Sequence, residues 1–409
     1  MSITNVPKDF QVMFLDMNSY FASVEQQVQP SLRGKPVGVA PYLGPNGCII
    51  AASREAKAVG VRTGCLVQDA KRIYPKIKIV ESRPALYVIY HNAIKKVIES
   101  FTPYFQPLSI DEFAIFLTPR DQNEYSSIKL AKNIKSKMYE EVGDFLSCSI
   151  GIGPNRFLAK VAGETKKPDG LTLVKLSELD RFYSQLKLRD LTGINYRMES
   201  RLLSKNIKSP LEFYQTPLWR LRDILDHFGR LWHFRLRGYE VDDYVSETKN
   251  VGHSHVLPPE FRTRHGAETV LRKLIFKTGA RLRKDNFIAG GIYVSVHFYN
   301  KGSFSQSKKT PKFNDNLSFE KQVFEILKKC DWRGMPSYVS VAAFNLSQTK
   351  NIQISIFKDI EKSRELSRAL DNINDEYGLG TIHMASMLEA LETAPDRIPF
   401  GKPRYDIRC

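Results

Sequence analysis

The chain reads as an α+β protein of several domains, and three observations carry that expectation. From about residue 10 to about residue 153, short apolar runs alternate with amphipathic segments in the order strand, helix, strand, strand, helix, strand. This order suits a ferredoxin-like split arrangement. Beyond about residue 248 a second αβ unit follows, built on a basic amphipathic helix. The length of 409 residues suggests roughly three domains, with enough chain for several cores.

The first apolar run, 10–16 (FQVMFLD), ends in one carboxylate, Asp16, and Asn18 and Ser19 then have the character of helix caps ahead of a helical segment. After a turn at 33–36, residues 37–40 read as a short strand, 41–47 as a Pro/Gly-rich loop and 48–52 as another apolar strand. Ser53 opens a short helix that Gly60 stops. Residues 77–80 suggest a strand and 84–101 a helix with Pro84 in its first turn, its core face formed by Leu86, Ile89, Ile94, Val97 and Ile98. A strand at 113–117, a helix at 123–142, a strand at 147–152 and a helix capped by Asn155 complete the split arrangement. Farther on, the turn 192–195 lies between two helical patterns, and 218–237 is a basic helix pair carrying Trp219 and Trp232. Residues 239–247 carry acids without periodicity and read as a linker. Strands are then expected near 249–255, 291–299 and 338–346, and helices near 266–283 and 319–330. Segment 301–312 reads as a flexible basic stretch, and 359–375 as a charged helix.

The charge balance points to a polyanionic partner. Hydrophobic content of 42% and charged content of 26% are ordinary for a globular protein, but the net charge of +17 and the pI near 9.5 are not. A membrane is the poorer partner, because no apolar stretch approaches the roughly 20 residues a spanning helix needs. The first nine residues are polar and show no secretory leader, and the five scattered cysteines form no CxxC pair. Reduced thiols and a cytoplasmic location are therefore expected. No Walker loop, dinucleotide fingerprint or zinc spacing is present.

The chemistry centres on 107–117, PLSIDEFAIFL, where Asp111 and Glu112 stand at the mouth of an apolar strand. Taken alone, the doublet also describes an exposed acidic turn. Burying two adjacent carboxylates is unfavourable unless a cation compensates them, and magnesium suits one or two carboxylates plus substrate phosphates. If the strand that ends in Asp16 neighbours this one, three carboxylates converge, enough to hold two metal ions for in-line phosphoryl displacement.

The stretches LDMNSYFASVE, SREAKAVGV, SIDE and CSIGIGPNRFLAKVAGETKKPDG resemble, in order, four motifs of the Y-family (translesion) DNA polymerases. Within that family the chain looks nearer to the bacterial polymerase V catalytic subunit than to DNA polymerase IV, and the resemblance runs from about residue 10 to about 346. It implies a right-hand polymerase: a ferredoxin-like palm at 1–22 and 78–168, small fingers at 23–77 and a helical thumb at 169–238. The thumb would hold a helix-hairpin-helix at the turn 192–195, whose amides bind a DNA phosphate without reading sequence. A linker at 239–247, an αβ little finger at 248–346 and a C-terminal tail at 347–409 complete the division.

The resemblance also implies the site. Asp16, Asp111 and Glu112 would be catalytic and hold two Mg2+ ions, with the Met17 carbonyl as a further candidate ligand. Arg54, Lys57 and Lys167 would bind the dNTP triphosphate, although many members carry Tyr and Arg at the first two positions. Phe21 aligns with the steric gate that excludes a 2′-hydroxyl, Tyr20 is grouped with the substrate-binding residues, and Cys48 and Ile50 would lie over the nascent base pair. In the little finger, Arg262, Arg264, Arg272, Lys273, Arg281, Arg283, Lys301, Lys308 and Lys309 would contact phosphates of primer-template DNA. Gln353, Ile356 and Phe357 resemble a sliding-clamp peptide, and accessory subunits are further candidate partners. The implied activity is low-fidelity, DNA-templated nucleotidyl transfer with lesion bypass in the response to DNA damage. Two alternatives compete: a non-enzymatic scaffold of the same fold that recruits factors to the clamp, and a nucleotide cyclase or other palm-fold enzyme. The complete acid set argues against the scaffold, and the basic C-terminal half argues against the cyclase.

Overall fold

The computed structural model describes residues 6–242, 248–299, 301–349, 358–378 and 380–395. These form two compact units, one up to residue 242 and one from residue 248 to 395. Gln353, Ile356 and Phe357, the expected clamp peptide, lie outside the described residues. Among the described residues no helix is long and apolar enough to cross a membrane.

The first unit is built on β1 (Val12–Met17), flanked by β6 (Glu112–Phe116) and β7 (Cys148–Gly153). With β5 (Phe105–Pro107) and β8 (Leu171–Leu173) at the edges, the sheet order is β5-β6-β1-β7-β8. Strand alternation gives its faces different jobs. Met13, Leu15, Phe113, Ile115, Ile150 and Ile152 point into the main core, where α4 (Pro84–Glu99) and α5 (Glu124–Glu141) supply Ile94, Val97, Ile134 and Met138. Val12, Phe14 and Ala114 face the other way, against Ala159 of α6 (Arg156–Thr165). Asn155 caps α6 as expected, its side chain accepting from the Leu158 amide at 2.8 Å. Gly151 lets α6 lie so close: a Cβ there would meet the Ala159 carbonyl oxygen at 1.9 Å.

Between β1 and α4 the chain makes α1 (Tyr20–Val28) and then a three-stranded sheet of order β3-β2-β4. Its strands are β2 (Val37–Ala40), β3 (Ala51–Ala52) and β4 (Lys78–Glu81), with α2 (Arg54–Ala58) and α3 (Val67–Ile73). β4 pairs in parallel with β2, so this small sheet extends past residue 77. α1 packs Tyr20, Phe21, Ala22 and Val24 into the main core, so a division at residue 22 cuts through a helix. Only Ala51–Ala52 of the apolar run 48–52 forms a strand, while Cys48 makes an isolated bridge to Leu66.

Five short helices follow: α7 (Leu179–Ser184), α8 (Tyr196–Ser204), α9 (Pro210–Gln215), α10 (Leu218–Leu225) and α11 (His227–Arg235). The turn 192–195 leads into α8, which Asn195 caps, and Gly193 takes a positive φ of 96° beside Trp232. Trp232 is buried in this helical core, whereas Trp219 is exposed. The start of the expected linker is tied down, because Asn155 donates to the carbonyls of Arg235 and Tyr239 and Arg156 pairs with Glu240.

The second unit is a four-stranded antiparallel sheet of order β11-β10-β12-β9. The strands are β9 (Asn250–Val256), β10 (Phe287–Phe298), β11 (Ser303–Phe313) and β12 (Pro336–Gln348). α12 (Arg264–Lys284) and α13 (Asn316–Leu327) supply Val270, Leu274, Phe319 and Val323 to the core with Ile292, Val294 and Val341. Two expectations fail here. Segment 301–312 is not a flexible stretch but most of β11, paired to β10 from Ser303 to Lys309 and, past an irregularity, again at Phe313. Its lysines and Pro311 are compatible with a strand because β11 is an edge, where charge and proline discourage further pairing. Nor is the segment after 346 merely a tail. α14 (Lys358–Tyr377) pairs Asp371 with Arg283, and Met387, Ala390 and Ala394 are buried.

Candidate active site

The register brings the expected acids together. Asp16 of β1 stands opposite Glu112 of β6, and on its other side opposite Ser149 of β7. The Met17 amide donates to the Asp111 carbonyl at 3.0 Å, which ties the loop before β6 to the end of β1. Asp16, Met17 and Asp111 line a cavity of about 520 Å3 together with Ser19, Tyr20, Phe21, Ile50, Arg54, Lys57 and Lys167. Cys48 is not part of this wall, nor is Glu112, which faces α6 and accepts from Lys160 at 2.6 Å.

Burial sets the electrostatics. It pushes the Asp16 carboxyl up to about 6, against Lys167, whose ammonium is 2.8 Å away, and with Glu164 and Glu112 adding to the rise. Asp111 is also raised by burial, opposed by the Ser109 hydroxyl that donates to it and reinforced by Asp16. Burial pulls Lys167 down, but Asp16 and Glu164 outweigh it and the ammonium ends above its ordinary value. Lys57 is lowered, first by burial and then by Lys167.

The donor set is all oxygen, and burial keeps Asp16 raised even with the Lys167 ammonium beside it. Both features fit a hard divalent cation. Among the described residues no group of three or more His, Cys, Asp or Glu is disposed to hold an ion. Lys160 holds Glu112, and Lys167 spans Asp16 and Glu164. Any cation would enter by taking carboxylates from these lysines.

On the opposite wall Arg54 is exposed at the start of α2, while the Lys57 ammonium donates to the Ser19 hydroxyl at 2.8 Å. Ser19 adopts a left-handed conformation (φ 50°) at the start of α1 and does not cap the helix with its side chain. Phe21 is 8% exposed and stacks on Tyr87 with ring centroids 4.4 Å apart. Tyr20 is buried and donates to the Tyr87 carbonyl at 2.7 Å. The sequence assigns no role to Lys160, Glu164, Ser109 or Glu25, and to Ser19 only that of a helix cap. Lys160 and Glu164 could have been found from their place on α6, because a helix packed against Gly151 must aim some side chains at the carboxylate end of the sheet.

The little-finger cations divide sharply. Arg283 is paired with Asp371, Lys273 donates to the Leu391 and Thr393 carbonyls, and Arg272 pairs with Glu320 while lying over Phe324. Arg262 and Arg264 are also partly engaged, by the Leu257 carbonyl and Glu268. Lys301, Lys308 and Lys309 are exposed.

Residues 15–164 match the impB/mucB/samB family, and 248–356 match the C-terminal domain of that family. The chain is 30% identical to a DNA polymerase IV of Moorella thermoacetica over 394 residues, covering 94% of this chain and 97% of that protein. It is 28% identical to a DNA polymerase IV of Pelotomaculum thermopropionicum over 387 residues, 92% and 95% of the two chains. Among solved structures, a Y-family DNA polymerase chimera of Dbh and Dpo4 matches with a TM-score of 0.70 at 25% identity, covering 82% of this chain and 98% of the chimera. DinB from Sulfolobus solfataricus matches with a TM-score of 0.53 at 25% identity and the same coverage. The Moorella and Pelotomaculum relatives carry the polymerase IV name, not that of the polymerase V group to which the motifs looked nearer.

Proposed function

Because this chain belongs to the impB/mucB/samB family of Y-family translesion DNA polymerases and is a DNA-directed DNA polymerase, we propose that the cavity beside Asp16 and Asp111 is its nucleotidyl-transfer site. The observation that carries the reading is the register that sets Asp16 against Glu112, with Asp111 tied to Met17, beside a cavity that Asp16 and Asp111 line together with Arg54, Lys57 and Lys167. Asp16, Asp111, Glu112 and the Met17 carbonyl would hold two magnesium ions, whose chemistry when bound is to favour the deprotonated primer 3′-hydroxyl and to stabilise the leaving pyrophosphate.

The chain's own side chains do the rest. Lys167, already in the cavity, would turn from Asp16 and Glu164 to the triphosphate, joined by Arg54 and Lys57. Their fixed positive charge offsets the charge that develops on the phosphoryl oxygens in the transition state. Lys160 would give up Glu112 when a cation compensates that acid. The Phe21 ring in the cavity wall would close the space a 2′-hydroxyl needs, so that deoxynucleotides are preferred.

Low fidelity and lesion bypass belong to the same reading, as does attachment to a sliding clamp through Gln353, Ile356 and Phe357. All three acids are present, which disfavours the non-enzymatic scaffold. The test is primer extension on an undamaged template with and without magnesium. Extension that requires the metal and fails with ribonucleotides supports the site assignment. Metal-independent extension overturns it.

A further inference from the structure

We infer that Tyr87, bolted in place by Glu25 and Arg83, is the positioning residue that sets how far the Phe21 ring intrudes into the sugar space. This rests on the reading of Phe21 as the sugar gate. Phe21 and Glu25 lie one turn apart on α1 and so share a face. The Tyr87 ring of α4 is 1% exposed and stacks on Phe21, centroids 4.4 Å apart and planes 19° from parallel. Both ends of Tyr87 are pinned. Its hydroxyl donates to Glu25 Oε1 at 2.7 Å, and its carbonyl accepts from the Tyr20 hydroxyl at 2.7 Å.

Glu25 in turn is fully buried and held by the Arg83 guanidinium, through Nε to Oε1 at 3.1 Å and through a second contact to Oε2. The group resists displacement, because losing Arg83 with no other cation to replace it would leave the buried Glu25 charge uncompensated, and moving Tyr87 would take away one of its hydrogen-bond donors. Phe21 lines the cavity, whereas Tyr87 and Glu25 stand behind it and do not. A gate that works by contact needs a rigid backing, since a ring able to retreat by a fraction of an ångström no longer excludes one extra oxygen.

The experiment measures the ratio of deoxynucleotide to ribonucleotide incorporation efficiency in the full chain, with thermal melting alongside. Phe21→Ala is expected to lower the ratio about a hundredfold or more, and Tyr87→Leu about tenfold. Tyr87→Leu should reduce deoxynucleotide incorporation far less than it reduces the ratio. Combined with Phe21→Ala it should lower the ratio no further, because Tyr87 acts only through that ring. Should Tyr87→Leu melt below the assay temperature, Arg83→Met changes the half-exposed end of the bolt and is expected to lower the ratio about threefold, with Arg83→Lys restoring it. A ratio lowered by Phe21→Ala but unmoved by both Tyr87→Leu and Arg83→Met overturns the inference and leaves the gate standing. A ratio unmoved by Phe21→Ala overturns both. Additive losses in the double variant overturn the claim that Tyr87 works through Phe21.

Discussion

In the palm sheet, Asp16 and Glu112 take their counter-charges from lysines that reach in from solvent: Lys167 is 30% exposed at its side chain and Lys160 24%. In the little finger, Arg283 is 6% exposed, pairs with Asp371 through both oxygens and also donates to Asn314 and Asn316. Both are acid–base pairs at hydrogen-bond distance, yet they differ in what each can release. A solvent-reachable lysine can leave a carboxylate when a better cation arrives, because water takes up the ammonium at little cost. A buried guanidinium with several partners cannot, since its departure strands a charge in the interior. The first kind of pair makes a site, and the second holds a domain together.

The sharpest way to break this comparison is to remove an acid from the exchangeable set. Asp111→Ala or Glu112→Ala should cost primer extension about 10³-fold or more. Primer-template binding in a gel shift should be retained, because in this reading cationic surface away from the acids would hold the duplex. Extension near the wild-type rate in either variant would show that the converging carboxylates are not the reacting centre.

That contrast also explains what the sequence could and could not reveal. Asp16, Asp111 and Glu112 stood out because each borders a short apolar run and falls in a stretch that resembles a family motif, although the doublet alone also describes an acidic turn. Their adjacency was not legible, since it depends on β1 lying between β6 and β7, a long-range pairing no local pattern states. Arg272, Lys273 and Arg283 looked like phosphate ligands because charge density on α12 is visible in sequence, whereas their engagement by α13, by residues 391–393 and by α14, respectively, is not. The strand β11 was hidden for a different reason. Its alternation of Ser303, Ser305 and Ser307 with Phe304 and Gln306 is a true period of two, but only Phe304 is apolar enough to signal it. Glu25 was in plain view after Val24, yet nothing local distinguishes an acid on a helix face from one that ends buried against Arg83.

A middle-sized effect tests the permanent pair. Arg283→Ala should destabilise the second unit by about 3–5 kcal/mol, because Asp371 is left partly buried without its cation. The readout is a lowered urea midpoint. A second variant, Arg283→Met with Asp371→Leu, should recover much of that loss by replacing charges with packed apolar volume. If Arg283→Ala leaves the midpoint unchanged and weakens only DNA binding, this arginine is a phosphate ligand after all and the division drawn between the two kinds of pair fails.

The smallest effect concerns the cations left exposed on β11. Lys308 and Lys309 are neighbours in sequence but point to opposite faces of the strand. Lys308 pairs in register with buried Ile292, on the side covered by α13, and its ammonium donates to Gln322 at 3.2 Å. Lys309 pairs with Gly291, two register steps before the Tyr293–Ser307 pair and so on the same face, and Tyr293 is exposed. A lysine that neutralises one phosphate contributes about 0.9 to the slope of log affinity against log salt concentration. Lys309→Ala should therefore lower that slope by about 1 and weaken primer-template binding a few-fold at low salt, equally for every sequence. Lys308→Ala should do less, because its ammonium already has a partner on α13. Neither change should move the urea midpoint, since both side chains are exposed on an edge strand. Equal slope changes in the two variants would mean that DNA approaches the strand edge rather than the face that carries Lys309. A lowered midpoint with an unchanged slope would assign Lys309 to folding and return the phosphate contacts to the partly engaged arginines, Arg262 and Arg264.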